Sequence, residues 1–318
     1  MLAAIAAAER ILAVGIGGGG DVVGALAVGE LAGALGTPFV VGGLSWERRP
    51  VDPLPGPRRM SEIAGLSQLN EHAGLATAGT TGPGGFHFAE SHMARHLGEP
   101  VLLLDPSGGP EAVADGLADA ARRLRCDLVV LTDVGGDVLA HGDEAGLGSP
   151  LADAVCLAAA PLLAERGVAL LGAVFGAGCD GELTPAEVLE RIAEVAQAGG
   201  HCGVWGPGSS ELARLQAAVA QVPTEASAMA LRCATGEVGS VPIRDGRRMV
   251  QLSGAGALVF FFDPLVALRS AARCARLVAQ ADSLEEANEI LIGQGIPTEL
   301  EWEAGHPSPP ADQGFTPL

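Results

Sequence analysis

Short runs of Leu, Ile and Val alternate along this chain with longer Ala/Leu/Glu/Arg segments. Runs that are apolar at every position, too short for helices and rich in branched residues fit strands buried on both faces. They fall at residues 11–14, 38–41, 100–104, 127–131, 169–174, 201–205 and 257–262. Each is followed by a segment with helical spacing, as at 110–124, 150–165 and 185–198. Pro110, Pro150 and Pro185 stand where a first-turn proline is tolerated, and residues 180–184 offer capping side chains before the last of these. The pattern predicts an α/β fold: a Rossmann-like, doubly wound, mostly parallel sheet with helices on both faces.

Two stretches break the alternation. Residues 43–85 carry little periodicity and many Gly, Pro, Ser and Thr, and read as a long loop excursion over the sheet's edge. Residues 238–253 read as a small β-hairpin insertion closed by Asp245-Gly246. No repeat or linker divides the chain, so residues 1–304 are expected to form one α/β domain, with 305–318 as a disordered tail.

In an open parallel sheet, ligands bind beyond the carboxyl ends of the strands. Here those ends deliver glycines and acids together. The first strand runs into Gly15-Ile-Gly17-Gly18-Gly19-Gly20-Asp21, and the third into Asp105-Pro-Ser107-Gly-Gly. The fourth is followed by Thr132-Asp133-Val-Gly135-Gly136-Asp137, the fifth by Gly176-Ala-Gly178-Cys-Asp180, and the sixth by Gly206-Pro-Gly208-Ser209. Glycine lets backbone approach a ligand closely, and carboxylates gathered on one rim repel unless a cation or proton sits among them. Gly17, Gly18, Gly19, Gly20, Asp21, Gly135, Gly136, Gly178, Gly208 and Ser209 are therefore the candidate ligand-binding positions.

Asp133 and Asp137 flank a Gly-Gly bend and can turn toward one point, with His141 following in the same loop. These three are the candidate catalytic residues. Oxygen ligands of this kind suit Mg²⁺ or Mn²⁺, held by Asp133 and Asp137 together with Asp21. The plainer alternative is that both acids cap turns. His92 and His96 share a helical face, yet a third zinc ligand is missing.

Gly15, Gly17 and Gly20 also satisfy the dinucleotide fingerprint Gly-x-Gly-x-x-Gly. The second strand, however, ends in Val41-Gly42-Gly43 where such a site wants an acid for the ribose, and Asp21 crowds a pyrophosphate with negative charge.

Composition narrows the chemistry further. At 318 residues and 48% hydrophobic the chain fills a full core. All 19 basic residues are Arg and there is no Tyr, as GC-rich coding bias produces. Without Lys there is no Schiff base, no pyridoxal-phosphate anchor and no phosphate-loop lysine, and without Tyr and Lys no dehydrogenase proton relay of that type. A net charge of −19 with scattered Arg excludes a nucleic-acid partner. The six cysteines stand singly, as buried reduced thiols do in a cytosolic protein. Residues 1–8 lack a basic n-region, and no apolar stretch reaches the ~20 residues of a membrane span, so a cytoplasmic protein is expected. Apolar helices leave room for a homo-oligomer face that the pattern does not locate.

The motifs 15–24 and 132–137, with the later Phe262-Asp263-Pro264, resemble a prokaryotic family known as domain of unknown function 1152, over about residues 11–296. A fainter resemblance is to the C-terminal half of D-glutamate cyclase, where a glycine/acid loop is followed by an acidic Gly-Gly motif that Asp133, Gly135, Gly136 and Asp137 match in outline. That likeness implies a divalent-metal-dependent lyase or hydrolase of small acids. The expected function is an enzyme that binds a small anionic metabolite at the sheet's carboxyl rim. The alternative is a nucleotide- or dinucleotide-binding module without turnover.

Overall fold

The computed structural model describes residues 1–306. In chain order its strands are β1 Ile11–Gly15, β2 Phe39–Leu44, β3 Ser67–Gln68, β4 Ala73–Ala76, β5 Val101–Leu104, β6 Leu128–Val134, β7 Ala169–Phe175, β8 His201–Trp205, β9 Gly239–Ile243, β10 Arg248–Leu252 and β11 Val259–Phe262. Nine of them form one sheet in the order β3-β4-β5-β2-β1-β6-β7-β11-β8. The strands β5, β2, β1, β6 and β7 are mutually parallel. The chain moves from β1 outward through β2 to β5 and then returns to the other side of β1 at β6. This reversal opens a crevice between the carboxyl ends of β1 and β6.

Both faces of the sheet are covered, which is why its strands read as unbroken apolar runs. Leu12, Val14, Val129 and Leu131 pack on the face of helices Gly109–Leu124 and Leu151–Ala158. Ile11, Ala13, Leu128 and Val130 face the opposite layer, which includes helix Val22–Ala34. That helix is buried all round, as its lack of a polar stripe requires. Helix Pro185–Gln197 starts at a proline behind a capping box, in which Thr184 accepts from the Glu187 N–H at 3.2 Å and Glu187 accepts from the Thr184 N–H at 2.7 Å.

Five expectations change. Residues 150–165 form two helices, Leu151–Ala158 and Ala160–Glu165, because Pro161 has no N–H for the Leu157 carbonyl. The fourth predicted strand continues through Asp133 to Val134, since β7 keeps pairing it up to Val134↔Phe175.

The 43–85 stretch is not a structureless loop: β4 lies antiparallel on β5, and β3 on β4. Ala-Gly-Leu-Ala carries no β-branched residue to announce that strand. β11 runs antiparallel between β7 and β8. The β9–β10 hairpin delivers the chain to the carboxyl rim, where the Gly176 N–H donates to the Leu258 carbonyl at 3.1 Å, and from there it can only run back down the sheet.

The hairpin spans most of the expected 238–253 insertion. Gly305 closes helix Glu299–Gly305 and the His306 ring stacks on Trp302, so residues 305 and 306 of the expected tail are ordered. The rest of it lies outside the described residues.

Candidate cation-binding cleft

The glycine loop after β1 is built around a carboxylate of its own chain. Asp21 stands just before helix Val22–Ala34, and its Oδ2 accepts the N–H of Gly17 at 3.1 Å and that of Val134 at 3.3 Å. A Cβ on Gly17 would meet Asp21 Oδ2 at 2.5 Å and Asp153 Oδ2 at 3.0 Å, so glycine here is the space in which two acids meet. Gly18 and Gly19 take left-handed φ of 80° and 55° to turn the loop, and the Gly19 N–H is used by the Trp46 carbonyl at 3.0 Å. Two amides of the expected anion cradle are therefore committed within the protein.

Asp133 points from β6 toward the same place, and Asp153 reaches it from the first turn of helix Leu151–Ala158. One carboxylate oxygen from each of Asp21, Asp133 and Asp153 lies within 4.8 Å of the others. Ligands ~2.1 Å from Mg²⁺ stand about 3.0 Å apart when adjacent and about 4.2 Å apart when opposite, so the three carboxylates would draw together to close such a shell. Asp133 and Asp153 are 1% and 2% exposed, and Oδ1 of each has no hydrogen-bond donor. A buried acceptor left in this way costs about 1–3 kcal/mol, and more if charged.

Burial first, then Asp21 and Asp180, holds the Asp133 carboxyl well above the usual range. Burial first, then Asp133 and Asp21, does the same for Asp153, against the pull of Arg48. Burial pushes Asp21 up to about 7 despite its two N–H donors.

A second acidic group, Asp137, Asp180 and Glu182, adjoins the first. It differs in being partly neutralised. Glu182 accepts the N–H groups of Gly148 and Ser149, each at 2.8 Å, and pairs with Arg248. Against the effect of burial, these partners hold its carboxyl below the usual range. Asp180 is pushed to about 7 by burial and by Glu182, and Asp137 is driven well up by burial and by Asp153.

Both groups open into a cleft of about 910 Å³ at the sheet's carboxyl rim. One wall is Arg48, whose Nη2 donates to the Gly17 carbonyl at 2.6 Å and pairs with Glu299 at 3.2 Å, its guanidinium lying over the Trp46 ring. Glu299 in turn accepts the N–H groups of Leu151 and Ala152, capping the helix that carries Asp153. The opposite wall is the tip of the β9–β10 hairpin, which presents Arg244, Arg247 and Arg248.

Of the residues singled out from sequence, Gly17, Gly18, Gly19, Gly20, Asp21, Asp133 and Asp137 line this cleft. Gly135 and Gly136 support it from behind: a Cβ on Gly135 would strike the Asp180 carboxylate, and one on Gly136 would meet Val188 at 2.6 Å. Gly178 packs on Pro185.

Gly208 and Ser209 are outside the cleft, because β11 intervenes between β7 and β8 and carries the end of β8 to the sheet's edge. His141 is outside it as well, turned to Glu194 at 2.9 Å and to Arg191. Asp105 caps its own turn by accepting the Ser107 N–H at 2.8 Å, and His96 meets Gln221.

Asp153, Glu182, Arg48, Arg244, Arg248 and Glu299 also line the cleft and were not among the candidates from sequence. Asp153 carried a usable signal: it is a lone acid among Leu151, Ala152, Ala154 and Val155, on a helix with nowhere polar to face. Glu299 carried none, since it follows no strand.

The fold and cleft define an α/β protein with a doubly wound, Rossmann-like sheet and an acidic site at its switch point. The chain belongs to the family described as protein of unknown function DUF1152, which it matches over residues 12–306. No curated protein and no solved structure matches it. Among the described residues no helix is long and apolar enough to cross a membrane.

Proposed function

We propose that this protein is a divalent-cation-dependent enzyme acting on a small anionic metabolite, as a lyase or hydrolase, with Asp21, Asp133 and Asp153 as the cation ligands. The observation that carries this reading is that Asp133 and Asp153, each with a donorless Oδ1, are buried with one carboxylate oxygen apiece within 4.8 Å of one from Asp21. All-oxygen carboxylate ligands fit Mg²⁺ or Mn²⁺, and a cation so placed would polarise a substrate oxygen or activate a water.

Asp180, whose carboxyl burial and Glu182 push to about 7, can hold or release a proton near neutrality beside that position, and burial with Asp153 favours the protonated form of Asp137. Arg48 fixes the Gly17 turn and so the direction of the Asp21 carboxylate.

The committed amides of Gly17 and Gly19 and the acid at the helix start weigh against a pyrophosphate in the glycine loop, and so against the dinucleotide alternative.

Calorimetric titration with Mn²⁺ tests the proposal. Wild type is expected to bind one equivalent. Asp133→Asn and Asp153→Asn should stay folded by circular dichroism and bind at least tenfold more weakly. A wild type indifferent to millimolar Mn²⁺ and Mg²⁺ near pH 8 would mean that protons, not a metal, neutralise these acids.

A further inference from the structure

We infer that the tip of the β9–β10 hairpin is the anion receptor of this cleft, with Arg244 as its contact group, and that the substrate is a phosphate-bearing metabolite whose phosphate bridges Arg244 and the cation. This rests on the cation reading above.

The arginines facing the cleft are not equivalent. Arg48 is spent on Gly17 and Glu299, Arg49 is engaged as well, Arg248 is spent on Glu182, and Arg247 lies over the Trp302 ring at 5.2 Å while its Nε donates to the Arg244 carbonyl at 3.0 Å. Among the described residues the Arg244 guanidinium has neither an ion pair nor a hydrogen bond, although it lines the cleft.

Its backbone is nevertheless held firmly. Arg244 sits at φ 51° and Asp245 at φ 55°, a conformation that side-chain-bearing residues rarely adopt, and the Arg244 N–H donates to both Glu225 carboxylate oxygens at 3.0 and 3.1 Å. Left-handed residues of this kind are what a tight hairpin turn requires. The charged groups facing the guanidinium are Arg248 and Arg48, of its own sign, with Glu182 and Asp180 opposing them.

The hairpin is also seated on the acidic loop: a Cβ on Gly181 would lie 3.1 Å from the Met249 carbonyl oxygen. Arg244 and the second acidic group therefore belong to one rigid wall.

The chemistry of that wall selects the ligand. A phosphate monoester offers oxygens on two sides, so the planar guanidinium fork can take one edge while a hard cation takes the other. A carboxylate has two oxygens against the three of a phosphate monoester, so filling the fork with both leaves none free for the cation. Because the cleft is acidic, phosphate is repelled until the cation is in place, and the two ligands must bind with positive coupling.

Titration of inorganic phosphate into the Mg²⁺-loaded protein decides the matter. Phosphate should bind at least tenfold more tightly with Mg²⁺ than without it, and more tightly than malonate. Arg244→Gln should lose at least tenfold in phosphate affinity and Arg244→Lys less, while both keep the Mg²⁺ affinity of wild type within twofold.

Unchanged phosphate binding by Arg244→Gln, or a preference of wild type for malonate, overturns the receptor while leaving the cation site standing. Failure of Mg²⁺ itself to bind removes both.

Discussion

The Asp21 carboxylate accepts the backbone N–H of Val134 at 3.3 Å, joining the loop after β1 to the end of β6 across 113 residues of sequence. The same oxygen accepts the Gly17 N–H, so one side chain closes the glycine loop, ties β1 to β6 and faces the cation position. Asp21→Asn keeps an acceptor oxygen and should fold like wild type while losing Mn²⁺ affinity at least tenfold. Asp21→Ala leaves two N–H groups unmet and should cost about 1–3 kcal/mol in chemical denaturation as well. Equal stability of the two variants would deny the oxygen its structural part.

Gly17 supplies room rather than flexibility. Gly17→Ala places a methyl 2.5 Å from Asp21 Oδ2 and 3.0 Å from Asp153 Oδ2, so it should drive the two acids apart. Thermal shift should show that 5 mM Mn²⁺ no longer stabilises the variant. For wild type at 100-fold over Kd the stabilisation would be about 2.7 kcal/mol. A variant with a full Mn²⁺ response would place the cation elsewhere.

Protonation should govern the stability of the metal-free protein. Glu90 is fully buried with neither carboxylate oxygen bonded, and burial and Glu47 hold its carboxyl well above the usual range. Burial likewise lifts Glu47 from 4.5 to about 7. Raised carboxyls make the folded state bind more protons than the unfolded one. Stability is therefore fully present below the ordinary value near 4.5 and falls as pH rises toward 7 and above, by up to ~1.4 kcal/mol per pH unit for each group. Glu90→Gln removes one such group, so urea denaturation between pH 5 and 8 should show a flatter slope and a variant more stable than wild type at pH 8. An unchanged slope would mean that Glu90 does not titrate with folding.

His141 provides a contrast. It pairs with Glu194 outside the cleft, with its side chain 31% exposed. His141→Ala should leave Mn²⁺ affinity within twofold of wild type and cost less than about 1 kcal/mol, as exposed pairs do. A loss of Mn²⁺ binding in this variant would return His141 to the site.

Much of the architecture was legible because burial imposes patterns that survive in one dimension. β1, β5 and β7 lie within a residue of the apolar runs that announced them, since a strand covered on both faces has no polar position to interrupt it, and β8 matches its run although it lies half-exposed at the sheet's edge. β4 was not legible, because small residues suffice in a short strand that borrows its order from β5 on one side and β3 on the other. The acids Asp21, Asp133 and Asp137 could be found by their position just after or at the end of a strand. Asp153 and Glu299 come from a helix start and from the far end of the chain, where no rule about strand ends applies.

Glycine and carboxylate at successive strand ends, all written in the chain itself, determined that this protein carries an acidic rim on a doubly wound sheet. Which acids meet was decided only by folding. The reversal between β1 and β6 brings Asp21 to Asp133, the capping of Leu151 and Ala152 by Glu299 sets the helix that delivers Asp153, and the hairpin brings Arg244 over them. Local sequence fixes where a side chain leaves its own strand or helix, whereas the distance between two charges depends on the packing of every element between them.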